Sequence, residues 1–395
     1  MTTNLLYPNK DSCCGCSSCV NSCPRNAIAM TRDQEGFLYP EIDSEKCVDC
    51  GLCLKSCAFQ HMKETNHSLA VYAAVRKDRE KLKQSASGGM FAAIAERIIN
   101  EGGIAFGCSM EKIDGKLYPM HVKAESYDEL LPILGSKYVQ SDVGSIFQSI
   151  KKELSSGRKV LFCGTPCQVA GLKGFLKKDW DNLFLLDLVC HGVSSPKMFQ
   201  DYIDFKEQHD KIKIESFHFR AKTDKPGKWA KIDYTDKKGQ KHSKYILPAE
   251  SSFYYYFLKA QIGRRSCFHC PYTCENRPGD LSIGDFWGFE KKHTDYDKNQ
   301  FHAADGISFV SANTPKGTEL LNSMQDDFSV YPSDFDTAAE NNPHLRTPST
   351  KGKHYDLIME TYKAKGYAGV EKIFANTTMK YRIKKLISIL TFKKL

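Results

Sequence analysis

Eight cysteines near the N-terminus fall into two copies of one spacing: Cys13, Cys16, Cys19 and Cys23, followed by Pro24, then Cys47, Cys50, Cys53 and Cys57. Each copy reads C-x2-C-x2-C-x3-C, and the second lies 34 residues after the first at all four positions. In this arrangement three thiolates of a run hold one [4Fe-4S] cluster and the fourth crosses over to the other. Cys13, Cys16, Cys19 and Cys57 are therefore expected to serve one cluster, and Cys47, Cys50, Cys53 and Cys23 the other. A zinc site would show separated C-x2-C pairs. A disulfide framework would call for a secretory signal, whereas the start MTTNLLYPNKDSCCGC has no apolar core. Cys14 is left over and is not expected to be a ligand. Ala58 replaces the proline that closes the first copy, which loosens a turn without removing a thiolate.

The chain has 395 residues, several times a bacterial-type ferredoxin, so a large unit must follow the cysteine runs. Residues 1–64 are expected to form the α+β ferredoxin-like domain, with HMKETNHSLA as a linker. With 41% apolar and 26% charged residues and no apolar run of membrane-spanning length, the expectation is a cytoplasmic protein. Sixteen cysteines fit a reducing compartment. The net charge of +9 is dispersed among acidic neighbours, and no nucleic-acid-binding signature accompanies it, so nucleic acid is not expected as a partner.

From Leu69 onward the pattern alternates between helix and strand. Gly88 and Gly89 open a helix striped by Phe91, Ile94, Ala95 and Ile98; Gly102 and Gly103 close it before a strand at 104–107. Val160, Leu161 and Phe162 form a buried strand, Gly164 turns, and Thr165, Pro166 and Gln168 make a helix start with a capping box. Cys167 thus falls in a first helical turn, where free amides lower a thiol's pKa. A second strand, 183–189, ends at Cys190, His191 and Gly192 before a helix begun by Ser195 and Pro196. Residues 211–247 read as β-rich and polar. The predicted class is a larger α/β domain, 69–345, with a mixed, mostly parallel sheet, and Cys167 and Cys190 facing one crevice at the strands' carboxyl ends.

Cys267, Cys270 and Cys274 form a further run, C-x2-C-x3-C. Two arrangements would complete a third [4Fe-4S] cluster: Cys274 with one distant cysteine, or Cys167 and Cys190 together with Cys267 and Cys270. Cys108 and Cys163 fit ordinary buried, reduced cysteines. The last 346–395 form a helical basic segment, in which Lys380, Arg382, Lys384, Lys385, Lys393 and Lys394 flank an apolar stripe of Ile383, Leu386, Ile387 and Leu390. Docking on its own domain and contact with a membrane surface or a partner subunit both remain open for it.

The stretches SGGMFAAIAERIINEGGIAFGC, LGSKYVQSDVG, VLFCGTPCQVAGLK, LDLVCHGVSSPKMFQDYI and CFHCPYTCENRPGDLSIGDFWG resemble the coenzyme F420 hydrogenase/dehydrogenase beta-subunit family with an N-terminal ferredoxin domain. The resemblance implies an FAD or FMN flavin and an additional [4Fe-4S] cluster. It favours Cys167, Cys190, Cys267 and Cys270 as that cluster's ligands, with Cys274 the alternative. It also implies electron exchange with a small substrate or the deazaflavin coenzyme F420. Ser87, Gly88 and Gly89 are the candidate flavin-phosphate site, because a helix N-terminus presents free amides. No G-x-G-x-x-G follows a strand, which argues against a nicotinamide site. His191 and Asp285 are the candidate catalytic residues, each balanced by a plain turn-stabilising role. The expected function is an iron-sulfur flavoprotein oxidoreductase working with a redox partner protein or ferredoxin. A non-catalytic electron-transfer subunit and a redox accessory protein in polysaccharide biosynthesis are the rival readings.

Overall fold

The computed structural model describes residues 6–61, 65–223 and 228–392, with side chains up to 377. The N-terminal unit is a two-fold ferredoxin pattern. Helix α1 (Ser18–Asn21), the antiparallel hairpin β1 (Ile28–Arg32) and β2 (Leu38–Ile42), and helix α2 (Leu52–Ser56) follow one another. Each helix starts inside a cysteine run, where Ser17 and Gly51 take left-handed backbone angles, φ 62° and 67°. Both copies therefore turn into their helix in the same way.

The large domain opens with β3 (Ala70–Arg76), helices α3 (Arg79–Lys83) and α4 (Met90–Asn100), and the long hairpin β4 (Ile104–Ile113) and β5 (Lys116–Ala124). Helices α5 (Tyr127–Leu130) and α6 (Ile146–Ser155) lead to β6 (Val160–Gly164), α7 (Pro166–Leu176), β7 (Leu183–Leu188) and α8 (Pro196–Asp210). A separate three-stranded antiparallel sheet of β8 (Lys213–His218), β9 (Ala230–Thr235) and β10 (Lys241–Ile246) is inserted next. After α9 (Ser252–Leu258), the main sheet is completed by β11 (Leu281–Asp285), β12 (Ser308–Ala312) and β13 (Phe328–Ser333), with α10 (Phe289–Lys292), α11 (Pro315–Ser323) and α12 (Phe335–Glu340) between and after them.

The main sheet has eight strands in the order β13-β3-β12-β11-β7-β6-β4-β5. Its centre, β11, β7, β6 and β4, is parallel, and antiparallel strands extend it on both sides, as the alternation of strand and helix predicts. Strand β6 is buried along its whole length, because Leu161 and Cys163 face the α4 layer while Val160 and Phe162 face α6 and α7. The capping box forms, with Thr165 N donating to Gln168 Oε1 at 3.0 Å. Since β6, β7 and β11 are parallel, the segments after them, carrying Cys167, Cys190 and Asp285, emerge at one sheet edge.

The ferredoxin hairpin does not stand apart from this domain. Phe37 and Tyr39 of its second strand are buried in the same core as Phe199, Tyr202 and Phe253, and each fully buried ring contributes roughly 1.5–3 kcal/mol. Helix α13 (Tyr355–Phe392) is broken at Gly366, φ 61°, and adds Tyr355, Ile358 and Tyr362 before the break and Tyr367, Val370 and Phe374 after it to that core. The side chains of the basic stretch, Lys380 to Lys394, lie outside the described residues. No described helix is long and apolar enough to cross a membrane.

One buried group makes the core sensitive to acid. His121 of β5 stacks on Phe162, bonds Cys163 O through Nε2 at 3.3 Å, and has no partner at Nδ1. Burial holds its pKa down to about 4, below an unfolded value near 6.5, so the folded protein keeps it neutral. Its contribution is full above pH 6.5 and is lost as the pH falls toward 4. Acidification from pH 7 to 5 is expected to cost about 2 kcal/mol at this residue. His121→Phe should recover that difference when urea unfolding is compared at the two pH values, and an unchanged acid sensitivity would contradict the assignment.

Candidate iron-sulfur and redox site

In the N-terminal unit, Gly15 is required: a Cβ there would stand 2.3 Å from Gln140 Nε2 and 3.0 Å from Leu38 O. The resulting tight loop turns Cys13, Cys16 and Cys19 toward Cys57, and all four line one largely apolar pocket with Phe59, Met30 and Pro40. Burial pushes the Cys19 thiol well up, and the neighbouring Cys16, Cys13 and Cys57 push it further. Burial likewise raises Cys53, with Cys50 and Cys23 adding to it. Cys14 and Cys53 line the same pocket as Cys13 and Cys57. Cys47 Sγ lies 3.7 Å from Asp49 Oδ1 in its own loop.

In the large domain, Cys167, Cys190, Cys267 and Cys270 converge. Burial raises Cys267 to about 12 and Cys190 to about 11; Cys190 and Cys167 act on the first, and Cys167 on the second. Burial also raises Cys270, and Cys167, Cys267 and Cys190 all add to it. Gly192, φ 104°, lets the loop after Cys190 pass close to Cys267, whose Cβ a methyl at position 192 would meet at 3.2 Å. Cys274 stands apart, with its thiol donating to Asn276 O at 3.1 Å and with Arg277, Asp187 and Glu275 as its charged neighbours. Cys108 and Cys163 are raised by burial, in keeping with buried, reduced thiols.

Cys14, which the spacing sets aside, lies between the two groups. Its thiol lies beside those of Cys16 and Cys167, which together with burial push its pKa well up. The neighbouring Cys14 thiol, then Thr165, whose Oγ1 lies 3.2 Å from Cys167 Sγ, hold Cys167 down to about 7 against burial. Nearby, α7 packs so closely on the ferredoxin unit that a Cβ at Gly171 would stand 2.9 Å from Cys16 Sγ.

Arg264 joins the same junction. Its side chain is fully buried; Nε donates to Cys13 O at 2.9 Å, Nη1 to Leu38 O at 3.0 Å and to Gln140 Oε1 at 3.1 Å, and the guanidinium lies 4.0 Å from the Tyr39 ring centre. Nη2 has no partner among the described residues. The side chains acting most strongly on it are Cys13, Tyr39, Cys14 and Cys267. A buried cation so placed suits an anionic iron-sulfur group held by these cysteines.

Next to Cys190 lies a second, polar environment. His191 packs edge-on against Phe257, 4.7 Å away, and His344, 5.1 Å away; burial, then His344 and Lys228, hold its pKa down to about 4. Phe257 stacks on Tyr138 at 4.6 Å. Arg220 pairs with Asp285 at 3.3 Å, and Arg220 and Lys228 lie 4.9 and 5.2 Å from the Trp287 ring centre. Lys228, which acts on His191 and lies near Trp287, links His191 to the Arg220–Asp285 pair. The turn at Ser87, Gly88 and Gly89 does not offer the free amides expected of it. Gly88 N donates to Ser308 Oγ at 2.9 Å and Gly89 N to Ala86 O at 3.0 Å. A Cβ at Gly88 would stand 2.2 Å from Ala74 O, so close packing on the sheet accounts for that glycine.

Among the described residues no three His, Cys, Asp or Glu side chains close on a point that could hold one metal ion. Residues 12–61 match the 4Fe-4S dicluster domain, and residues 157–336 match the C terminus of the coenzyme F420 hydrogenase/dehydrogenase beta subunit. An uncharacterized protein of Methanocaldococcus jannaschii is 26% identical over 200 residues, 43% of this chain and 54% of that protein. The chain thus spans about half the length of that relative. Ketoisovalerate oxidoreductase subunit VorC of Methanothermobacter marburgensis is 34% identical over 55 residues, 13% of this chain and 70% of that subunit. A chain in the F420-reducing [NiFe] hydrogenase complex from Methanosarcina barkeri aligns over 79% of this chain and 94% of its own length, at 20% identity and a TM-score of 0.42. With the dicluster match ahead of it, residues 157–336 are similar to the C terminus of the coenzyme F420 hydrogenase/dehydrogenase beta subunit, and residues 12–61 are similar to a 4Fe-4S dicluster domain.

Proposed function

We propose that this chain is an iron-sulfur oxidoreductase that connects a one-electron entrance at its N-terminal cysteines with a two-electron site beside His191. The observation that carries the reading is the close approach of the two cysteine groups, where α7 packs so tightly on the ferredoxin unit that a Cβ at Gly171 would stand 2.9 Å from Cys16 Sγ. Cys13, Cys16, Cys19 and Cys57 would hold one [4Fe-4S] cluster, Cys23, Cys47, Cys50 and Cys53 a second, and Cys167, Cys190, Cys267 and Cys270 a third. When bound, such clusters exchange single electrons, while an FAD or FMN flavin supplies hydride chemistry.

The chain's own residues have definable tasks in this reading. Arg264 compensates negative charge between the first and third cysteine sets. Tyr272, whose hydroxyl donates to Ala58 O, and Ala170 keep water from the contact between them. For the two-electron end we look to the neighbourhood of His191, Arg220, Lys228 and Trp287, because the amides of Gly88 and Gly89 are taken. Arg220 and Lys228 suit an anionic group and Trp287 an aromatic ring. The low pKa of His191 keeps it neutral near pH 7, able to exchange a proton with a bound small substrate, of which coenzyme F420 is the one the family suggests.

Iron and sulfide analysis of anaerobically purified protein tests the reading. About twelve of each per chain are expected for three four-thiolate clusters, and about eight would remove the third. Cys167→Ser and Cys190→Ser should each lose about four irons and leave the N-terminal EPR signals intact, whereas Cys274→Ser should lose none. Loss of iron in Cys274→Ser with retention in Cys190→Ser would transfer the third set to the other arrangement. Acid release of a yellow chromophore tests the flavin, and turnover with coenzyme F420 tests the substrate.

A further inference from the structure

Between the ferredoxin unit and the large domain lies an open cleft of about 630 Å3 on the side of the second cysteine set. Cys23, Pro24 and Leu52 form one wall; Lys151 and Lys152 of α6 and Lys177 after α7 form the other. No carboxylate lines it. Lys151 rests 5.7 Å from the ring centre of Phe175, which leaves its charge at the rim. The adjoining cysteine loop is unusually open: Cys50 alone among the sixteen cysteines is exposed, and Val48 and Leu54 on either side of it are 58% and 43% exposed. The first and third sets, by contrast, hold no exposed cysteine.

We propose that this face is the docking surface for an acidic one-electron carrier protein. The inference rests on the reading that Cys23, Cys47, Cys50 and Cys53 hold a cluster. Transient electron-transfer encounters need little buried area, and like-signed charge lining a cleft raises association rates steeply. Three lysines supply such a field for a partner whose acidic residues surround its redox centre. Val48 and Leu54 give that partner an apolar contact next to Cys50, from which a small anion would gain nothing. The chain's net charge of +9 favours the same class of partner at long range.

The test is anaerobic stopped-flow mixing of the full chain with a reduced acidic 2[4Fe-4S] ferredoxin, alongside photoreduction by a neutral sensitiser. The second-order rate with ferredoxin should fall steeply with added salt. It should fall about tenfold or more in Lys151→Glu/Lys152→Glu/Lys177→Glu, with iron content and photoreduction unchanged. An unchanged ferredoxin rate at full iron content would overturn the docking surface. Fewer than about eight irons in the unaltered chain, measured before any donor is added, would instead overturn the reading of the cysteine sets. Should the triple exchange lose iron, the three single exchanges are compared; each should slow ferredoxin, and no effect from any of them counts against the surface. Inhibition by a tricarboxylate beyond that of chloride at matched ionic strength would mark a small-anion site and also refute the proposal.

Discussion

Asp187→Ala is expected to destabilise the large domain by about 3–5 kcal/mol, because it strands a fully buried positive charge. Asp187 and Arg277 expose 0% and 1% of their side chains, and both Arg277 Nη2 and Nε donate to Asp187 Oδ1, at 2.7 and 3.0 Å. The other carboxylate oxygen accepts from Gly279 N at 2.9 Å, while Arg277 also donates to Tyr272 O and Leu188 O. Removing the carboxylate therefore leaves a guanidinium and an amide without their acceptor inside the core. The pair also fastens the end of β7, just before Cys190, to the loop after Cys270. In the cluster reading, the variant should lose about four irons before the N-terminal iron is affected. Denaturant unfolding followed with iron analysis measures both effects. Asp187→Leu combined with Arg277→Met should restore much of the stability, since an apolar pair has no charge to strand. A loss below about 1 kcal/mol for Asp187→Ala would show that the core takes up water at this point.

Arg264→Met removes the other deeply buried cation, and here the expected losses are stability and reduction potential together. Cys13 O and Leu38 O would be left buried without their donor, at a cost of about 1–3 kcal/mol each. The guanidinium also faces sulfur from two cysteine sets, and a positive charge favours the more negative, reduced state of an iron-sulfur group. The substitution is expected to make the reduction potentials assigned to the first and third sets more negative and to leave that of the second unchanged. Potentiometric EPR separates these signals. Equal shifts at all three would contradict the placement of Arg264 between two of them.

The dicluster domain was legible from the repeated cysteine spacing alone, because three-residue steps in a short loop leave few ways to surround a cube. The strand-turn-helix around Cys167 was equally legible, since Thr165, Pro166 and Gln168 each have one favoured place at a helix start. The convergence of Cys167 and Cys190 followed from strand direction, a property of the whole sheet that alternation implies. Cys14 was not legible: its role depends on how a separate unit packs on α7, and sequence spacing holds no record of that. Arg264 was hidden for the same reason, one basic residue among 56, distinguished by burial alone. The Ser87 turn misled because a glycine pair before a helix looks the same whether it receives a ligand or presses against a strand. Ser308 Oγ, which accepts from Gly88 N, lies on a strand 220 residues further along the chain.

Gly171 carries a consequence for how the two units behave over time. With no side chain of its own, it lets Cys16 rest directly on α7, while Phe37 and Tyr39 are shared with the large domain's core and Arg264 reaches across to the hairpin. A ferredoxin domain that shuttled on its linker would have to break all of these at each cycle. The N-terminal unit is instead packed in place, so in the proposed function the rate of internal transfer is set by a fixed separation and not by the swing of a tether. Linker length should then matter little, and any gating must lie at the two ends of the route, where a carrier arrives or a substrate leaves.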